Sequence, residues 1–344
     1  MATTTRALLQ LCPRQALCRR GYATVRQDLH GLYNLPKPPT ARRRWMLGAG
    51  GVGLVALVYL IANEPAHKTE APAPATAGFD PATPVALQLG DGLVDSGTTS
   101  VPPFPTRVTA PDNAEYALLG LGIRTVSFLS IQVYVVGFYV HVDDLAAVQT
   151  ALVRRVDPTA SSITALEKEE LRKRLLDPVE GEKLWEEVLA GGAQFRSLFR
   201  IVPTRNTDFQ HLRDGWVRGI QARSTKNESY DDDAFTAALA EFKALFGGAF
   251  KKSVPKQKTL LLARDAAGVF GVYYDPTGRN DGKLGGKGEE QTVQNLGSIR
   301  DPRVAKALWL CYLAGAKPAS EPARKSIIEG VLALASRPAA TLGV

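Results

Sequence analysis

The sequence predicts an α+β domain with a mostly antiparallel sheet, preceded by a single transmembrane helix. Runs of β-branched and aromatic residues at 131–142, 194–202 and 258–274 are typical of strands. These strands and the predicted helices occur in groups rather than in strict alternation, which favours an antiparallel sheet. Ahead of the domain, residues 45–62 form one uncharged, largely apolar run.

The N-terminal segment carries targeting signals. Residues 1–22 combine Arg, Thr, Leu and Ala with no acid, so they can form the positively charged amphipathic helix of a mitochondrial transit peptide. Cleavage is predicted after Tyr22. Residues 23–44 form a basic segment that ends in three arginines and is predicted to lie on the matrix side.

The net charge of +8 lies entirely in residues 1–44, which hold nine basic residues and one acid, Asp28. Residues 45–344 therefore carry no net charge. Because a basic surface supplies most of the affinity for phosphate backbones, no nucleic-acid partner is expected.

The run 45–62 is predicted to span the mitochondrial inner membrane. Its eighteen residues would cover about 27 Å as a helix, roughly one hydrocarbon core. Trp45 and Tyr59 lie near its ends, where interfacial aromatics are found. Positive charge on the matrix side would place the C-terminal domain in the intermembrane space. Ala49 and Gly53 could form a small-residue face for weak self-association.

Residues 63–104 are predicted to be a linker, because they are rich in Pro, Ala, Thr and Gly and show no sustained apolar period. The folded domain is predicted at 105–338. The three cysteines can form neither a disulfide framework nor a CxxC metal site, so no metal is expected. Cys311, in an apolar helical run, is predicted to be a core residue.

The domain is predicted to open with a hairpin whose second strand, 131–142, is buried on both faces. Strand parity places Tyr134, Val136 and Phe138 on one face, and Tyr139 and His141 on the other. Further strands are expected at 194–202, 258–263 and 268–274, followed by a glycine-rich loop at 276–290. Helices are expected at 143–150, 163–176, 178–190, 234–246, 302–313 and 323–334, with an amphipathic helix through Phe209, Leu212, Trp216 and Ile220.

Two segments carry a family resemblance. Leu121-Gly122-Ile123-Arg124 followed by Val133–Val140 resembles the signature hairpin of chalcone-isomerase-fold proteins. Leu296–Pro302 followed by Ala307–Leu313 resembles the family's last strand-to-helix segment. With the transit peptide and membrane anchor, the chain is similar to the fungal altered-inheritance-of-mitochondria proteins over about residues 105–338. The resemblance implies an open-faced β-sandwich, in which helices cover one side of a large antiparallel sheet and a ligand cleft lies between.

The resemblance also implies a ligand site. Arg124 matches the family arginine, which stabilises a developing anion in the enzymes and holds a carboxylate, together with a tyrosine, in fatty-acid-binding relatives. Its planar guanidinium suits carboxylates and phenolates. Tyr134 falls where the fatty-acid binders have tyrosine and the plant enzymes have threonine. The side chains expected to bind ligand are Arg124, Tyr134, Val136, Phe138, Phe209 and Trp216.

The helix over the cleft departs from the enzymes, which carry a tyrosine and, seven residues later, an asparagine. Phe209 and Trp216 occupy these places here. Losing two hydrogen-bonding groups aimed at the reacting oxygen removes about a few kcal/mol of transition-state stabilisation. Chalcone cyclisation is therefore not expected, and the chain is predicted to be a non-catalytic binder of haem or another apolar acid.

Haem is implied because fungal mitochondrial members of the family are associated with haem binding. His141 and His211 are the candidate axial ligands, and Arg124 could hold a propionate. Two alternatives stay open. One is an isomerase of the intramolecular lyase type, with Arg124 and Tyr134 as electrophilic donors to a non-chalcone enone. The other is a membrane-anchored scaffold with an unused cleft, whose loop 276–290 is a partner surface.

Overall fold

The computed structural model describes most of the predicted domain and a short stretch before it, namely residues 92–126, 129–190, 194–247, 253–285 and 292–337. The predicted transit peptide (1–22), basic segment (23–44) and transmembrane helix (45–62) lie outside the described residues. Within the described ranges, no helix is both long and apolar enough to cross a membrane.

The predicted antiparallel sheet is confirmed. The strands are β1 Leu93–Val94, β2 Phe104–Pro105, β3 Arg107–Thr109, β4 Glu115–Val126, β5 Ile131–His141, β6 Ser197–Pro203, β7 Thr207–Asp208, β8 Ser253–Val254, β9 Thr259–Arg264, β10 Phe270–Asp275 and β11 Gln294–Ile299. Among the described residues, seven strands pair in the order β11–β10–β9–β6–β5–β4–β3, and every neighbouring pair is antiparallel. Two further small pairs join β1 to β2 and β7 to β8.

The predicted helices are all present, and several of them start at a polar side chain that caps the first turn. Asp208 and Asp301 each accept a backbone N–H of the first turn, and Thr164 forms a reciprocal capping box with Glu167. The helices are α1 Leu145–Val153, α2 Ala165–Leu176, α3 Glu180–Ala190, α4 Phe209–Ser224, α5 Asp233–Leu245, α6 Pro302–Leu313 and α7 Glu321–Ala335.

The helices cover one face of the sheet and bury the main core. Strand β5 presents Tyr134, Val136 and Phe138 to the helices, whereas Val135 and Tyr139 point into a second, smaller core on the opposite face. The predicted parity and two-sided burial of β5 are therefore confirmed.

Helix α7 packs on β4 at backbone contact distance. A Cβ added to Gly330 would overlap the Leu119 carbonyl group, whose carbon lies 2.6 Å away. On the strand, a Cβ at Gly122 would lie 2.7 Å from the Cα of Ala323. The N–H of Leu121 donates to the Ser326 hydroxyl at 3.1 Å. Glycine is therefore needed on both elements for them to approach this closely.

The domain begins earlier than the predicted residue 105. Val101 and Phe104 are buried in the core on the sheet face opposite the helices. The buried Arg200 guanidinium stacks over the Phe104 ring at 4.4 Å. The end of the predicted linker 63–104 thus belongs to the fold. The sequence did not indicate this burial because apolar residues isolated among Pro and Thr show no periodicity, although tertiary contacts bury them.

The glycine-rich loop after β10 crosses to the far edge of the sheet. The N–H of Thr109 on β3 donates to the carbonyl of Gly282 at 2.8 Å. Gly282 has φ +78°, and an added Cβ would lie 2.5 Å from the Arg107 carbonyl oxygen. The described part of the loop predicted at 276–290 therefore packs on the chain's own edge strand.

Candidate functional site

Arg124 lies near the end of β4, directly opposite Tyr134 on β5 in the strand register. Its side chain is half-buried, and the guanidinium carbon lies 6.0 Å from the centroid of the Tyr134 ring. Nη1 donates to the carbonyl of Ala319 at 2.5 Å, in the turn between α6 and α7. That turn is held to the sheet because the Ser320 hydroxyl donates to the carbonyl of Ile123 at 2.7 Å.

Beneath Arg124, three buried side chains share hydrogen bonds and form a polar triad: Tyr134, Trp216 and Tyr312. The hydroxyls of Tyr134 and Tyr312 lie 2.7 Å apart. The indole Nε1–H of Trp216 donates to the Tyr312 hydroxyl at 2.7 Å. The triad joins β5, α4 and α6, and each side chain is at most 3% exposed. Polar ring groups buried this deeply need such partners.

The two hydroxyls of the triad are neutral at physiological pH. Burial raises the pKa of Tyr134, and the positive charge of Arg124 opposes that rise only partly. Burial raises the pKa of Tyr312 further, with the neighbouring Tyr134 adding to the effect. Neutral hydroxyls can donate a hydrogen bond to an anion, but they are poorly suited to act as general bases.

The other side chains expected to bind ligand lie in the same helix-facing core. Val136 and Phe138 are buried on β5, and the Phe138 ring lies 5.0 Å from that of Phe199. Phe209, also buried, packs edge-on against Tyr274 with ring centroids 5.4 Å apart. The structure thus brings the six predicted residues to one side of the sheet, with aromatic side chains packed between them.

Sequence reasoning missed Tyr312, the centre of the triad. It stands in the apolar run of α6, where every residue from Ala307 to Leu313 is buried. A tyrosine hydroxyl in a helix that is buried on all sides needs a hydrogen-bond partner. A tyrosine inside this apolar run therefore indicated a buried hydrogen bond. The neighbouring Cys311 is a buried thiol, as predicted, and accepts a hydrogen bond from Arg223 at 3.5 Å.

The two candidate haem ligands lie away from Arg124 and the triad. The His211 side chain is 82% exposed and pairs with the Asp208 carboxylate at the start of α4. His141 is buried on the opposite sheet face, where its ring contacts Tyr116 at 5.2 Å and its Nδ1 accepts the N–H of Asp143. This arrangement does not fit a haem held axially by either histidine with a propionate on Arg124. In the part of the chain that the structure describes, no group of three His, Cys, Asp or Glu residues could hold a metal ion.

Residues 114–328, more than half of the chain, match the family model described as "Chalcone isomerase like". Altered inheritance of mitochondria protein 18 of Debaryomyces hansenii is 32% identical over 240 residues, which cover 69% of this chain and 74% of that protein. Its counterpart from Kluyveromyces lactis is 33% identical over 69% and 71% of the two chains. A crystal structure of an Arabidopsis thaliana fatty-acid binding protein aligns over 67% of this chain and 98% of that one, with 19% identity and a TM-score of 0.45.

Proposed function

The chain belongs to the chalcone isomerase like family, and from that premise we propose that it binds an apolar carboxylic acid without converting it. Arg124 would hold the carboxylate, and Tyr134 would donate a second hydrogen bond to it. The apolar part of the ligand would enter the layer between sheet and helices.

The proposal rests on the burial and the hydrogen bonding of the Arg124 guanidinium. It is half-buried, and among the described residues its one hydrogen bond goes to a neutral carbonyl and no carboxylate lies within ion-pair distance. A partly desolvated cation without a counter-charge is costly. A ligand carboxylate would supply that charge through two parallel N–H···O bonds.

The triad supports a binding role over a catalytic one. Burial holds the hydroxyls of Tyr134 and Tyr312 neutral, so neither is suited to abstract a proton, and among their catalytic roles only donation of a hydrogen bond to a developing anion remains. The positions of the enzymes' tyrosine and asparagine hold Phe209 and Trp216, whose indole N–H is already bonded to Tyr312. Turnover of a non-chalcone enone would instead support the isomerase alternative.

The tail of the ligand would have to displace side chains. Val136, Phe138 and Phe209 are each at most 2% exposed, so the layer between sheet and helices is closely packed. Binding would therefore be coupled to an outward shift of α4 from the sheet. Burial of the ligand's apolar chain would offset the free-energy cost of this shift by about 25 cal/mol per Å² of apolar surface removed from water.

The proposed location is the mitochondrial inner membrane, with the acid-binding domain in the intermembrane space. The names of both relatives refer to mitochondria. The basic N-terminal segment and the apolar run 45–62 of this chain favour the same location. Protease protection in isolated mitochondria, before and after rupture of the outer membrane, tests it. A domain that stays protected after rupture would place it in the matrix.

Arg124→Gln is expected to weaken binding of a fluorescent polyene fatty acid at least tenfold. The reason is that a hydrogen bond to a charged group contributes about 1.5–3 kcal/mol. Binding would be measured by fluorescence titration of the full chain kept soluble in amphipol. The methyl ester of the same acid should bind weakly to the unchanged protein.

The matched control is Arg218→Gln, which removes the same charge from the exposed side of α4 and should leave binding unchanged. Equal affinity in Arg124→Gln and the unchanged chain would contradict the proposed site. No saturable binding of any apolar acid by a folded chain would favour the scaffold alternative.

Haem binding stays a prediction, and a titration followed at the Soret band tests it. Because neither histidine faces Arg124, we expect no saturable shift that disappears in His141→Ala or His211→Ala. A saturable one-to-one shift lost in one of these variants would establish haem as the ligand and replace the proposed acid.

A further inference from the structure

A cavity lies between the end of β9 and the start of α6, at the opposite end of the sheet from Arg124. Its volume is about 240 Å³. Three of its lining side chains are cationic, and none of the lining side chains is acidic. The lining residues include Gln194, Arg264, Ala266, Ala267, Arg303 and Lys306.

Arg264 is a buried cation with no ion pair among the described residues. The residue is 5% exposed, and its two terminal nitrogens donate to the carbonyls of Phe195 at 2.9 Å and Leu189 at 2.8 Å. Within the described part of the chain, the buried Nε has no hydrogen-bond partner. The nearby carboxylate of Asp265 accepts the N–H of Val269 at 2.7 Å. Burial lowers the pKa of Arg264, and the charge of Asp265 opposes that shift only partly.

Lys306 is the second cation of the cavity. Its ammonium lies 5.4 Å from the centroid of the Tyr230 ring, and no ion pair joins it to a carboxylate within the described ranges. Arg303 differs, because its guanidinium bonds both Asp301 and Asp232 and is neutralised by them. The unbalanced positive charge of the cavity therefore comes from Arg264 and Lys306.

The cavity is held open by small residues in the turn between β9 and β10. Ala266 and Ala267 form its wall. Gly268 has φ +87°, and an added Cβ would lie 2.6 Å from the Pro302 side chain, so the turn is pressed against the first residue of α6. The volume is below the range of about 300–1,000 Å³ found for drug-sized ligands, so it suits a compact ligand.

We propose that this cavity binds a compact oxyanion, either phosphate or a small carboxylate, between Arg264 and Lys306. The anion would pair with the Arg264 guanidinium and accept a hydrogen bond from the Lys306 ammonium. It would supply the direct ion pair that Arg264 lacks among the described residues. The site is separate from the one at Arg124 and needs no apolar tail.

The test is isothermal titration of the full chain in amphipol with inorganic phosphate and, in a second arm, with succinate, at constant ionic strength. We expect saturable binding in at least one arm, and the stronger arm identifies the class of oxyanion. Lys306→Gln should weaken it at least tenfold, while Lys325→Gln, which removes an exposed lysine from α7, should not.

A second variant tests whether the two cations have only a structural role. Ala266→Leu keeps both charges but fills the cavity, so it should abolish anion binding while fatty-acid binding at Arg124 is retained. Titrations without saturation, or equal affinity in Lys306→Gln and Lys325→Gln, would overturn the proposal and leave Arg264 as a structural tie between β9 and α3.

Discussion

Replacing Gly330 with alanine is expected to destabilise the domain by about 3 kcal/mol or more, the upper range for inserting a methyl group into a packed core. The added Cβ would overlap the Leu119 carbonyl on β4. The Cβ is fixed to the backbone of α7 and the carbonyl belongs to the backbone of β4, so neither group can rotate away. Relief requires α7 to move off the sheet and to weaken the bond from Leu121 to Ser326.

Urea unfolding followed by circular dichroism would measure the change in the free energy of unfolding. Gly215→Ala is the matched control, because a Cβ at Gly215 on α4 meets nothing within 4 Å. There the same substitution should stabilise the domain by up to about 1 kcal/mol, through helix propensity alone. Similar effects at the two positions would show that α7 does not contact β4 as described.

Tyr312→Phe is expected to cost about 2–6 kcal/mol, because removing one hydroxyl leaves two buried groups without a partner at about 1–3 kcal/mol each. Those groups are the indole N–H of Trp216 and the hydroxyl of Tyr134. A phenylalanine ring fills nearly the same volume, so the loss would reflect hydrogen bonding rather than a cavity.

Tyr134→Phe is the comparison, since Tyr312 then still accepts from Trp216. Its cost should be about 1 kcal/mol, the value of one net hydrogen bond. Unfolding free energies of both variants and of the double variant form a cycle, in which Tyr134→Phe should cost little once Tyr312→Phe is made. Additive costs would contradict a connected triad.

The elements that local chemistry specifies were predicted closely. Helix α6 was expected at 302–313 and is found at Pro302–Leu313. Its start is encoded by the capping Asp301 and by a proline at the first helical position. The long strand β5 was predicted because β-branched and aromatic residues fill it, and such a strand is stable only when both faces are buried.

Elements that depend on distant partners were predicted less well. Strand β11, Gln294–Ile299, contains few strand-forming residues and a glycine at φ +127°, so its pairing with β10 decides its conformation. Only its last residues were identified from the sequence. The stretch containing Val101 and Phe104 was assigned to the linker for the same reason.

The candidate site shows the same division. Arg124 and Tyr134 were expected at one ligand site from the resemblance, and the strand register places them opposite each other. Tyr312 lies 178 residues from Tyr134 along the chain. Its hydrogen bonds depend on the position of α6 over the sheet, which no local sequence pattern predicts.

The contact between β4 and α7 also constrains the order in which the domain can assemble. Leu121 and Ser326, which share a hydrogen bond, are 205 residues apart, so the first long strand of the fold is covered by the last helix of the described residues. Contacts of such high sequence separation slow folding. Until α7 has been synthesised, the face of β4 that carries Gly120 and Gly122 lacks this cover.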